Sequence, residues 1–278
     1  MKRMIGLFVL SVGLAVGGPS AFAASHIRLA ADTPVISMAE WEVLQAGAAE
    51  QTGARILIAA GPEELVRAPA NASRYESQAF KFDNGELRVL SFHKASGGVL
   101  HQITTETQLY VIKGSATVAV AGQTVQIQTG DVVNLPSGVV RSIAKAAEDT
   151  TLLLQTVGSS LPGAKAALVR GADTPASPLT AGPKVGVENV KVSVQRFSFD
   201  GNTVRVAHLV GPGKSGTVTP SADALIYLLS GRMEITVGDE VKIVKAGDAV
   251  CEAAGLPTHW NVLEESTFVA TNGVKASP

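Results

Sequence analysis

The chain has 278 residues, 46% of them apolar and 17% charged, with a formal net charge of −1. That length holds one large domain or two ordinary ones, with enough apolar material for proper cores. The near-neutral charge argues against nucleic acid or an anionic membrane as main partner, since both attract through a basic excess. A single cysteine, Cys251, excludes an internal disulfide framework and a cysteine-based zinc site.

In chain order, residues 1–23 read as a cleavable signal peptide. Lys2 and Arg3 form a basic start, Ile5 to Val16 an apolar run, and Gly17, Gly18 and Pro19 a break. Ala21-Phe22-Ala23 then supplies small residues for cleavage after Ala23. The run is too short to span a bilayer, which takes about 20 apolar residues, so no integral membrane segment is expected after processing. The expected location is periplasmic or secreted. In the N-terminal segment 24–72, His26 lies near the new terminus. Ser37-Met38-Ala39-Glu40 resembles a capping box ahead of Trp41 and Leu44, and Pro62 with Glu63 and Glu64 offers a second helix start. A short N-terminal helical segment is therefore expected.

Beyond it the chain repeats itself at an offset of 117 residues, as from Asp83 to Asp200. Gln78, Phe80, Phe82 and Asp83 recur as Gln195, Phe197, Phe199 and Asp200, and Arg88-Val89 as Arg205-Val206. Tyr110, Gly114 and Val120 recur as Tyr227, Gly231 and Val237, Gly130-Asp131 as Gly247-Asp248, and Gly138 as Gly255. A repeat this long is a whole domain and not a solenoid unit, which runs roughly 20–50 residues. Within each copy, alternating apolar residues flank turns such as Asp83-Asn84-Gly85, and short strands follow between glycines. The expectation is all-β: two tandem barrels, at 73–157 and 185–278. Between them the Gly-, Ala-, Ser- and Pro-rich stretch 158–184 reads as a linker, with Ala164 to Val169 as its one piece able to order.

Leu109 to Gly114 and Gly130 to Gly138, with Ile226 to Gly231 and Gly247 to Trp260 in the later copy, resemble the two motifs of the cupin superfamily. The resemblance implies two double-stranded β-helix (jelly-roll) barrels, a bicupin. It also implies a metal held by three His and one Glu. Those positions fall here on His101, Ile103, Thr107 and Arg141 in the first barrel. In the second they fall on Val218, Pro220, Ala224 and Thr258, or on His259 if one residue is inserted. One chelating residue of four survives at most in each barrel, and Arg141 adds a fixed positive charge where the cation would sit. No metal cofactor is therefore expected. The alternative is a divalent transition metal held by His93, His101 and Glu106, which needs a strand bulge to bring Glu106 inward.

Without metal, His101, Ile103, Thr107 and Arg141 would line one cavity, with His259 at a pocket rim in the second barrel. An inward guanidinium suits a carboxylate or phosphate, and a neutral imidazole can move a proton near pH 7. His208, Cys251, Tyr110 and Tyr227 read as structural. The expected function is binding of a small, anionic organic molecule in the first barrel by a monomer or homodimer. The alternatives are an isomerase, epimerase or lyase using His101 as catalytic residue, a dioxygenase if the metal triad forms, or a pure oligomerisation scaffold.

Overall fold

The computed structural model describes residues 25–37, 75–83, 85–94, 99–102, 106–120, 123–136, 140–146, 148–156, 165–179, 190–200 and 202–272. Among them strands form two seven-stranded and two four-stranded sheets, one of each per barrel. In the first barrel the hairpin Tyr75–Phe82 and Gly85–Phe92 pairs onward through Thr150–Thr156, Thr107–Lys113 and Val132–Leu135. The opposing sheet runs Val99–Gln102, Val140–Ala146, Ser115–Val120, Gln123–Gln128. The second barrel repeats this order from the hairpin Lys191–Phe199 and Asn202–Val210. The all-β, two-barrel expectation holds. The motif glycine ending the central strand of each barrel is needed for its backbone: Gly114 and Gly231 sit at φ +84° and +85°. A Cβ on either would lie within 2.5 Å of a carbonyl oxygen, that of Asp149 or of Glu265.

Each barrel has its own apolar core, built in the first around Phe92, Leu109 and Leu152 and in the second around Met233, Trp260 and Phe268. A third core joins them. Phe80, Leu87, Tyr110 and Leu153 of the first seven-stranded sheet pack against Phe197, Val204, Tyr227 and Val269 of the second. Phe80 and Tyr227 meet edge to face at 6.0 Å. These sheets are thus buried on both faces, one lining a barrel and the other pressed on the neighbouring barrel.

The stretch expected as a linker carries two short strands in its described part, and an N-terminal counterpart mirrors them. Ala31-Asp32-Thr33-Pro34 recurs as Ala172-Asp173-Thr174-Pro175. Each of these arms starts on one barrel and ends on the other. Ile27–Arg28 pairs with Ala249–Glu252 of the second barrel, and Val35–Ser37 with Tyr75–Phe82 of the first. Conversely, Ala167–Val169 pairs with Val132–Leu135 of the first and Ser177–Pro178 with Lys191–Phe199 of the second. The repeated polar residues pin these arms. Gln78 Nε2 donates to the carbonyls of Ala30 and Thr33, and Gln195 Nε2 to those of Gly171 and Thr174. Asp248 accepts from the Ala30 amide, Asp131 from the Gly171 amide. Of the expected N-terminal helices, Ser37 ends a strand and 38–74 lie outside the described residues. The first arm holds only a 3-10 turn, Ala30–Asp32.

Between the barrels lies a buried polar row. Gln155, Gln108 and Asn134 are successive cross-strand neighbours, and Gln155 Nε2 reaches the Leu225 carbonyl of the other barrel. Both polar atoms of the Gln108 amide lack a hydrogen-bond partner among the described residues. The second barrel has Leu225 at the place equivalent to Gln108. Gln108→Leu should therefore raise stability by about 1 kcal/mol, because an unpaired buried amide is costlier than an apolar group of its size. Urea unfolding of the two proteins checks this, and a loss of that size instead would mean the amide is satisfied.

Candidate functional site

The second barrel holds a partly open cavity of about 380 Å³. Alternation along the hairpin selects its lining. Val194, Ala207 and Leu209 belong to the core of this barrel, so residues two apart from them share its inner face. That places Arg196 and Arg205 inside, and both line the cavity. They are direct cross-strand partners. Glu252, the last residue of Ala249–Glu252, and Trp260 of Thr258–Val262 join the polar part with Thr219 and Ser221, Trp260 Nε1 donating to Glu252 Oε1 at 2.9 Å. Trp260 also meets Phe268 edge to face at 4.9 Å, making an aromatic wall.

Two guanidinium groups directly opposite each other repel, and antiparallel sheets ordinarily avoid this. The strain registers on Arg205. Burial pushes its pKa down, the Glu252 carboxylate pulls it back, and the Arg196 charge lowers it again, leaving a net fall. Glu252 offsets one of the two positive charges. Arg196 is solvent-exposed and makes no hydrogen bond or ion pair among the described residues. The first barrel lacks this arrangement: the partner of Arg88, the residue equivalent to Arg205, is Ala79, and Arg88 Nε donates to Glu86 at 2.6 Å.

The residues singled out in the sequence are distributed as follows. His101 and Arg141 are cross-strand partners in the four-stranded sheet of the first barrel, and their side chains, like Ile103, lie outside the described residues. Thr107 is buried and shares strand parity with Leu109 and Val111, which belong to the first barrel's core. Glu106 is fully buried, with neither carboxylate oxygen hydrogen-bonded among the described residues. His93 instead faces solvent, 4.0 Å from Asp149. The two occupy opposite environments, and among the described residues no three His, Cys, Asp or Glu side chains converge. His259 is not at the cavity. Trp260 takes the inner face of their strand, and His259, one residue away, turns outward to Thr236 Oγ1 at 3.2 Å. His208, on an interior strand of the seven-stranded sheet, meets Thr267 Oγ1 and the Glu265 carboxylate.

Arg196, Arg205 and Glu252 were not singled out by sequence reasoning. A signal existed, since Arg205 repeats Arg88, but the strand's apolar alternation runs through Val204 and Val206. Those two face the other barrel.

The cupin metal positions of the second barrel can be tested directly. Val218, Pro220 and Ala224 line the cavity and offer no side-chain ligand. Thr258 is fully buried, its backbone bonded in both directions to that of Val218. With two guanidinium groups and one carboxylate beside them, this donor set does not fit a transition metal.

Cys251 sits in the core between the barrels, and burial, with the nearby carboxylates Asp223, Glu252 and Asp83, pushes its thiol up to about 12. The folded protein should leave a disulfide reagent such as DTNB unconsumed at pH 8, and the unfolded chain should consume one equivalent. Fast labelling of the folded form would contradict its enclosure.

The architecture defines a two-barrel jelly roll with a solvent-accessible pocket in the second barrel. Residues 209–269 match the family model described as the cupin domain. Among solved structures the chain resembles AerE from Microcystis aeruginosa (TM-score 0.61, 11% identity, covering 72% of this chain and 93% of that one). It also resembles the protein Ylba from E. coli (TM-score 0.56, 14% identity, 73% and 84% covered). A mutant of oxalate decarboxylase OxdC from Bacillus subtilis is similar as well (TM-score 0.55, 15% identity, 74% of each chain). No curated protein matches in sequence. The second barrel thus matches the cupin domain family, and the first barrel repeats its strand order. At these identities the structural likenesses speak for the fold alone. Among the described residues no helix is long and apolar enough to cross a membrane.

Proposed function

We propose that this protein is exported and binds a small organic anion in the cavity of its second barrel. The reading is carried by the cross-strand pair Arg196 and Arg205. Their mutual repulsion is relieved when an anion accepts hydrogen bonds from both, and a guanidinium fork matches a carboxylate in geometry as well as charge. The pocket has the size of a small-molecule site, at the lower end of the roughly 300–1,000 Å³ range. Export rests on the leader at residues 1–23. The test is calorimetric titration of the mature chain, beginning at Ala24, with organic acids and their neutral amides. Saturable binding of acids, weakened at least tenfold in Arg196→Ala, supports the proposal; no binding of any acid sinks it. N-terminal sequencing of the secreted protein should read from Ala24.

A second reading keeps the ligand in the first barrel, favoured by the register that sets His101 directly opposite Arg141. In that case Arg141→Ala abolishes acid binding and Arg196→Ala leaves it intact.

A further inference from the structure

We infer that the anion held in the second barrel is a monocarboxylate with an apolar, ring-sized body, an aromatic or branched-chain acid. The inference rests on the reading of the cavity given above and names the ligand class it takes.

Charge comes first. Among the residues lining the cavity the ionisable ones are Arg196, Arg205 and Glu252, whose formal charges leave a surplus of one positive. A single carboxylate neutralises it. A dicarboxylate such as oxalate overshoots, placing its second charge near Glu252 in a site that screens poorly. The walls come second. Away from the guanidinium pair, the lining includes Val194, Ala207, Ile226, Phe268 and Ala270 of the barrel's apolar core, along with the hydroxyl residues Thr219 and Ser221. A hydroxyl-rich ligand would bring more donors and acceptors than Thr219, Ser221 and Glu252 answer, and the rest would meet the apolar wall, a costly desolvation. An apolar body pays no such penalty and displaces water from apolar surface. Shape comes third. Trp260 and Phe268, set edge to face, both line the cavity and offer aromatic packing partners to a ring-bearing ligand. A two-carbon acid would touch the arginines and leave most of about 380 Å³ unfilled.

The test titrates the mature wild-type chain with acetate, isovalerate, phenylacetate, oxalate and the neutral phenylacetamide, and repeats phenylacetate with Arg196→Ala. Phenylacetate should bind at least tenfold more tightly than acetate, oxalate and phenylacetamide, with isovalerate between. A few buried carbons suffice for a step of that size. Arg196→Ala, whose exposed position allows it to fold normally, should lose phenylacetate binding by a similar factor. If oxalate or acetate binds as tightly as phenylacetate and Arg196→Ala still abolishes binding, the ligand class is wrong while the anion site stands. If no acid binds the wild type, or binding survives Arg196→Ala and is lost in Arg141→Ala, the site itself is wrong.

Discussion

Arg196→Ala will weaken anion binding by roughly thirtyfold, about 2 kcal/mol, while leaving the unliganded protein at least as stable as before. The two effects together separate a binding residue from a structural one. Arg196 is exposed, has no hydrogen-bonded partner among the described residues, and stands opposite the like charge of Arg205. Removing it deletes a repulsion, an effect of up to about 1 kcal/mol for cross-strand pairs, so the melting temperature holds or rises. Arg205→Ala behaves differently. Arg205 is partly buried and electrostatically coupled to Glu252, so its loss leaves a carboxylate of 5% exposure without that charge. Stripping one member from such a pair costs about 3 kcal/mol in stability as well as the affinity. Titration calorimetry with phenylacetate and thermal unfolding without ligand measure both quantities. If Arg196→Ala destabilises the apoprotein by more than it weakens binding, the arginine pair is part of the scaffold and not of a ligand site.

Asp248→Ala will destabilise the protein by about 3 kcal/mol and release the first arm. Asp248 is almost fully buried and accepts hydrogen bonds from the amides of Ala30 and Lys245, at 2.7 and 2.8 Å. Alanine leaves both donors buried and unanswered, at about 1–3 kcal/mol each. The equivalent Asp131 does more: it accepts from the amides of Gln128 and Gly171 and pairs with Arg170 at 2.6 Å, so Asp131→Ala should be at least as damaging. Urea unfolding gives the size of the effect, and trypsin reports its place. Arg28 lies in the strand that docks on the second barrel, so cleavage after it should accelerate in Asp248→Ala before the barrels unfold. A variant that loses less than about 1 kcal/mol and resists cleavage at Arg28 as well as the wild type does would show that the arm is held by its strand pairing alone.

The arms illustrate why part of the fold was hard to read. Their repeat is present in the sequence, but at a spacing of 141, from Ala31 to Ala172, so a comparison at the barrel spacing of 117 passes over it. Gln78, Gln195, Asp131 and Asp248 were legible as repeated residues, while their role as clamps was not, because the backbone atoms they bind belong to segments far away in the chain. His259 and Trp260 show the same limit at the scale of one residue: adjacent in sequence, they look in opposite directions, and the direction is set by which side of the strand the barrel lies on. His101 and Arg141 are the converse. Motif spacing assigned them to one cavity, and the strand register makes them cross-strand partners in the backbone.

Whatever depends on local spacing was decided by the sequence alone: the number of barrels, the positive-φ glycines that close their turns, and the replacement of chelating side chains at the cupin metal positions of the second barrel. The tertiary structure decided which face of each strand looks into a barrel and which looks at the neighbouring barrel. Hydrophobic alternation cannot make that distinction here, because the seven-stranded sheets are buried on both sides and apolar residues occupy both faces. Arg205 therefore stands among valines that point away from it, and only the packing of one barrel on the other turns it toward a cavity.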